Sequence, residues 1–254
     1  MIGSVSLPSL KTVIMWLFVL TVLFFGIGWG ITLIDSDQHT RTSYEKHIPL
    51  RVSADGIEQS ALSLIIESGT LNLSCGIPGD LISGDIQTSV NRNGPVQAHE
   101  IKNGSSIFSL TQEKPGVGNL FVDDDRWNLG IDPTIPVSLD IRSGTGDVRI
   151  DSGPLNLTFL GVRSGAGDVF IDLTRCHARH LPVTIEAGLG DTILLLPEHS
   201  TIAADTEVGL GDAEVSGLEG SDGKYYYGSQ SPDDPVISLS VKSGIGDLSI
   251  RRGL

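Results

Sequence analysis

One phrase recurs five times between residues 139 and 250 and limits what the chain can fold into: apolar–polar–apolar, then Gly-x-Gly-Asp, then apolar–polar–apolar again. The tetrads are Gly144-Thr145-Gly146-Asp147, Gly165-Ala166-Gly167-Asp168, Gly188-Leu189-Gly190-Asp191, Gly209-Leu210-Gly211-Asp212 and Gly244-Ile245-Gly246-Asp247. Their first glycines lie 21, 23, 21 and 35 residues apart, the spacing of a stacked repeat architecture. Leu139 and Ile141 before the first tetrad, and Val148 and Ile150 after it, alternate with polar residues as half-buried strands do. Each unit therefore reads as strand, tight turn, strand. Glycine supplies φ > 0 without steric cost, and Asp bonds turn amides, so the ten glycines are expected as structural turns.

Ahead of the repeats, residues 12–34 are 23 consecutive positions without a charge, rich in Val, Ile, Leu, Phe and Trp. As a helix they would span about 34 Å, against a hydrocarbon core of about 30 Å. Cleaved signal peptides have shorter apolar regions and a small-residue cleavage site, and none follows Ile34. An uncleaved transmembrane signal anchor is expected. Lys11 precedes it, while Asp35 and Asp37 follow, which places residues 1–11 in the cytoplasm, 35–48 as a polar stalk and the rest outside a single-pass cell membrane. Sequons at Asn72, Asn103 and Asn156 agree with export and mark possible glycosylation positions.

The formal net charge is −14, and setting aside Lys11 leaves −15 on the remainder. That balance argues against nucleic acid and against electrostatic docking on anionic lipid. Cys75 and Cys176 are the two cysteines, and spacing alone leaves their pairing open.

Residues 49–126 read as a weaker N-terminal part of the same β-stack, and 127–254 as the Gly-x-Gly-Asp part. Leu62, Leu64 and Ile66 alternate before Ser68-Gly69-Thr70, and Leu71 and Leu73 follow. Ser83-Gly84-Asp85-Ile86 and Ile107-Phe108-Ser109-Leu110 add short strands, with Gly94-Pro95 and Asn103-Gly104 as turn signals between them. The run Asp123-Asp124-Asp125 reads as a solvated loop, and Trp127 as a cap on one end of the stack. An insertion of about 14 residues within 216–235 explains the long interval, since repeat proteins carry insertions in loops. Its Tyr225-Tyr226-Tyr227 either forms a recognition surface or covers the end of the stack, and three adjacent β-formers favour covering.

Catalytic patterns are missing. The chain has no Gly-x-Ser-x-Gly elbow, no phosphate loop and no His-Glu-x-x-His, and each Gly-x-Gly leads into a strand where a dinucleotide site needs a helix. A non-enzymatic protein without cofactor is expected. Cys176-His177-Ala178-Arg179-His180 lacks a fourth zinc ligand and reads as a polar turn. Stacked coils would align Asp147, Asp168, Asp191 and Asp212 in a column, with Asp247 in the fifth tetrad. Backbone capping and cation contacts, as in a calcium-binding β-roll, are the two readings of these aspartates; one Asp per coil favours capping.

Trp127-Asn128-Leu129, Pro136-Val137-Ser138-Leu139-Asp140-Ile141, the Ser-Gly-x-Gly-Asp turns and Leu194-Leu195-Leu196-Pro197 together resemble the prokaryotic toast-rack family. That family is related to adhesin domains of the DUF4097 type and to cell-wall-active-antibiotic response proteins. The resemblance covers about 62–250 and implies a single-chain rack of β-strands. Some relatives restrain membrane sensor kinases, and those usually have several spans where this chain has one.

The expected fold is an all-β, solenoid-like (β-helix-like) stack of short strands with an N-terminal transmembrane helix. The expected function is an adhesin-like or scaffolding module of the envelope that binds an unidentified envelope protein or glycan. The alternative is an envelope-stress regulator that meets a membrane sensor through Gly26, Gly28 and Gly30 of the span.

Overall fold

Alternation of apolar and polar residues on either side of a tight corner buries one face of each strand only if two strands of a unit face each other across a core. The computed structural model shows that arrangement and describes residues 45–89, 93–113, 125–176, 179–228 and 236–253. The expected span at 12–34, with Gly26, Gly28 and Gly30, lies outside the described residues, as do Asp123, Asp124 and His177. Among the described residues no helix is long and apolar enough to cross a membrane.

The strands in chain order are β1 (Glu45–Ser53), β2 (Gln59–Ser68), β3 (Thr70–Cys75), β4 (Asp80–Ser89), β5 (Val96–Lys102), β6 (Ser105–Thr111), β7 (Arg126–Ile131), β8 (Val137–Thr145), β9 (Val148–Asp151) and β10 (Leu157–Ala166). They continue as β11 (Val169–Asp172), β12 (His180–Leu189), β13 (Thr192–Leu196), β14 (Thr201–Leu210), β15 (Ala213–Ser216), β16 (Glu219–Ser221), β17 (Lys224–Tyr227), β18 (Val236–Ile245) and β19 (Leu248–Arg252). One sheet runs β1-β4-β7-β3-β9-β11-β13-β19-β15 and the other β16-β17-β14-β18-β12-β10-β8-β2-β6-β5. A coil is one strand of the second sheet, a corner, and one strand of the first.

Coil order in space is not coil order in sequence. The β2/β3 coil lies between β6/β7 and β8/β9, and the last coil of the chain, β18/β19, lies between β12/β13 and β14/β15. After β15 the chain reverses through the β16–β17 hairpin, and β18 then fills the gap by pairing in parallel with both β12 and β14. The 35-residue interval is therefore a reversal followed by a strand insertion. This corrects the expected column: Asp247 stands between Asp191 and Asp212.

The core is the space between the sheets. Leu139, Ile141, Leu160, Val162, Val183 and Ile185 face Val148, Ile150, Val169, Ile171 and Leu194, all at most 1% exposed. Fully burying such a side chain contributes about 1.5–3 kcal/mol, so each coil adds its own increment of stability. Residues 49–126 and 127–254 share this core, because β7 pairs with both β3 and β4.

Three local expectations change. Trp127 is fully buried in β7, with β4 and β1 beyond it, so it is interior rather than a cap. β1 starts at Glu45, inside the stretch expected to be stalk, and Ile48 packs against the core. Asp125 is not solvated: it is 3% exposed and accepts a bond from the Gln112 amide. Cys75 and Cys176, whose pairing the spacing left open, are not joined in a disulfide. Cys75 ends β3 and Cys176 lies in the turn after β11, with β9 between those strands. The tyrosines take the covering role: β17 pairs antiparallel with β14, Tyr225 and Tyr227 pack against the core, and the Arg252 guanidinium lies 3.3 Å from the Tyr227 ring centre.

Candidate binding groove

Each Gly-x-Gly-Asp corner carries the chain from the long strand of its coil to the short one, and the two glycines meet different demands. Gly167 has φ +129°, a conformation L side chains rarely adopt, and Gly146, Gly190, Gly211 and Gly246 occupy the same region. Gly165 has ordinary φ, but a Cβ there would meet the carbonyl oxygen of Gly144 in the adjacent coil. Gly144, Gly188, Gly209 and Gly244 are held by the same close approach. Four of the five inward residues just before the first glycines are small: Ser143, Ser164, Ala187 and Ser243, each 4–6% exposed.

The aspartates form a ladder between coils. Asp147 Oδ1 accepts from the Asp168 N–H at 3.0 Å, Asp168 from Asp191 at 2.9 Å, Asp191 from Asp247 at 2.9 Å, and Asp247 from Asp212 at 3.0 Å. Each carboxylate thus caps the amide of the next coil, a charge-assisted bond that accommodates negative charges stacked about 4.8 Å apart. One oxygen of each of these four is already committed to an amide. Among the described residues no group of three His, Cys, Asp or Glu side chains is gathered as a metal site would need. His180 opens β12 as an exposed residue.

A second set of aspartates holds the opposite corner. Asp132, Asp151 and Asp172 each accept from the N–H two residues on, at 2.8, 3.0 and 2.8 Å. Burial pushes the Asp132 carboxyl up, but bonds from Thr134 Oγ1, Thr134 N–H and Gly79 N–H outweigh it and hold its pKa below the ordinary value. The sequon asparagines face outward: Asn72 bonds Asn128 at 3.0 Å, Asn103 sits at the exposed β5–β6 turn with φ 51°, and Asn156 is exposed before β10.

The side-chain-free column of first glycines leaves a trench along the outer face of the long-strand sheet. Its volume is about 840 Å³, and its floor is bare backbone at Gly144, Gly165, Gly188, Gly244 and Gly209. The wall is a charged row, Arg142, Arg163, Glu186, Lys242 and Glu207, brought side by side by the register. Arg163 bonds Asp140 at 3.1 Å and Glu186 at 3.2 Å, and Lys242 meets Glu207 at 3.3 Å. These pairs are exposed and individually weak, so they can open toward a ligand. The row was legible in the sequence, because every residue two places before a first glycine is charged. Its significance needed the trench.

Fold and groove together define a repeat-built β-stack that offers one continuous backbone-floored surface. The chain belongs to the toast-rack family: residues 36–195 match the model of the N-terminal domain of toast_rack, DUF2154. Among solved structures it is similar to a "putative cell adhesion protein" from Clostridium sporogenes, at 26% identity and TM-score 0.76, covering 82% of this chain and 100% of that one. A "putative adhesin" from Bacteroides fragilis also matches, at 15% identity and TM-score 0.31 over 81% of this chain and 96% of that one, a score too low to carry an argument. No protein with a curated description matches the chain in sequence.

Proposed function

We propose that this chain is a non-enzymatic, membrane-tethered binding module, adhesin-like, displayed on the outer side of the cell membrane, and that the glycine-floored groove is the surface it presents. The observation that carries this reading is the groove itself: a floor of backbone crossing five coils, with a charged residue from each coil on its wall. A surface with one repeat per coil suits an extended ligand of the envelope, a glycan strand or an extended polypeptide. The uncharged stretch 12–34 supplies the tether, and the charge of −15 beyond it keeps the displayed part soluble. The similar Clostridium protein, described as a cell adhesion protein, supports the same reading.

The test is binding of the whole chain to isolated envelope fragments and to a glycan array. Arg163→Glu and Lys242→Glu are expected to lower binding about tenfold, as loss of interfacial charged contacts does, while Asn128→Ala on the opposite face leaves it intact. Equal binding by all three would sink the groove assignment. Protease accessibility on intact cells tests display.

A further inference from the structure

Among the described residues, the terminal coil, β14 with β15, is covered along only half of its outer side. β17 pairs with Ile202, Ala203, Ala204 and Asp205, and the Thr206 N–H donates to the Gly223 carbonyl at 2.7 Å. Beyond that point no described strand lies beside residues 207–216 on the side away from β18 and β19. The core shows the gap. Val148, Val169, Thr192 and Leu248 are at most 1% exposed, whereas their equivalent Ala213 is exposed and Val208 and Val215 are only partly buried. Leu210 is 67% exposed.

The hydrogen-bond ladder stops at the same place. In the preceding coils, the N–H of Gly146, Gly167, Gly190 and Gly246 donates to the carbonyl of Ala166, Leu189, Ile245 and Leu210. Likewise Val148, Val169, Thr192 and Leu248 donate to the carbonyls of Asp168, Asp191, Asp247 and Asp212. Gly211 N–H, Ala213 N–H and Asp212 Oδ1 are the next three rungs, and among the described residues nothing stands opposite them. Natural sheets blunt such edges with proline, with charges, lysine above all, and with short strands. β15, Ala213-Glu214-Val215-Ser216, is short and has no proline or lysine, its one charge being Glu214.

We propose that residues 207–216 receive a basic segment of another polypeptide, which follows the corner as one more parallel strand–corner–strand coil, with glycines at the bend as in the coils beneath, and sets its alternate apolar side chains over Val208 and Val215. Backbone bonds to the three open rungs give such an addition its affinity, and alternate side chains its selectivity. Charge selects the occupant. Glu207, Asp212 and Glu214 line the edge, and the neighbouring Lys242 is already paired with Glu207. A second copy of this chain would set those carboxylates against their own images.

The probe is a fluorescent peptide of alternating lysine and valine interrupted by one central Gly-Lys-Gly for the corner, titrated into the whole chain and followed by anisotropy. Binding is expected, weakening as salt rises. Ala213→Pro removes an outward N–H while leaving the β15–β19 pairing intact, and is expected to weaken binding about tenfold, the measure of one lost backbone bond. Should that variant not fold, N-methylation of alternate peptide amides deletes the same bonds from the ligand side. Glu214→Lys, outside the groove, is expected to weaken peptide binding while envelope-fragment binding stays as it was, which separates this edge from the groove reading. The proposal is overturned by any of three results: no binding to the parent chain, equal binding of an alternating glutamate–valine peptide or of the N-methylated peptide, or self-association in sedimentation that Ala213→Pro abolishes.

Discussion

The two ends of the stack are finished differently. At the end that begins with β6/β7, both sheets continue into antiparallel strands: β4 and then β1 on one side, β5 on the other. The outermost β1 carries Lys46, Pro49 and Arg51, with Arg51 held to Asp80 at 2.8 Å. Proline and cations on an edge strand are the usual guards against further pairing. At the other end the β16–β17 hairpin guards only the first half of β14, and among the described residues β15 has no neighbour beyond it. A repeat stack has no intrinsic length limit, so its ends must be specified separately. Here one end is fully specified and the other half.

Three measurements would break or sharpen this contrast. The largest effect is expected in the core: Ile185→Ala, at a fully buried position in β12, should cost about 3 kcal/mol in urea unfolding, and Val215→Ala in the open coil under about 1 kcal/mol. Equal losses would mean that the end coil is packed as tightly as the middle. Next, Asp191→Ala removes the acceptor of the Asp247 amide and should cost about 1 kcal/mol, whereas Asp212→Ala, whose carboxylate faces no further coil, should cost under about 0.5 kcal/mol. A matching cost for Asp212 would show that something already stands on that edge.

The smallest effect concerns pH and the guarded end, where Asp132 Oδ2 holds the Gly79 N–H in the turn before β4. Its folded pKa is lowered, so its contribution is present above the unfolded value of about 3.9 and is lost as pH falls through the folded one. Asp132→Asn should therefore flatten the fall in melting temperature below about pH 4, with little change near neutrality in that slope. An unchanged acid limb would remove Asp132 from the account.

Much of the fold was legible. The five tetrads and their alternating flanks located β8 to β15, β18 and β19 as strand–corner–strand units, since period-2 burial leaves little choice. Ser68-Gly69-Thr70 revealed the β2/β3 coil, and Asn103-Gly104 the turn before β6, while β5, exposed throughout, carried no alternation to reveal it. Trp127 and Asp125 were misplaced because both lie at coil β6/β7, whose neighbours β4 and β1 come from distant sequence. Nothing local tells a buried tryptophan from an exposed end cap. The groove was half visible, since the charged residue two places before each first glycine was there to be read. The trench beside it arises only when coils stack.

Chain chemistry alone therefore determined the coil: glycine where φ is positive or backbones approach, small residues inside the corner, apolar residues at alternate strand positions. Those requirements are local, and each residue type meets or fails them by its own shape. Tertiary structure decided the order of the coils, the insertion of β18/β19 before the end, and the half-covered edge at β15. Identical coils are nearly interchangeable neighbours, so which one stacks on which is settled by where the reversing hairpin sends the chain.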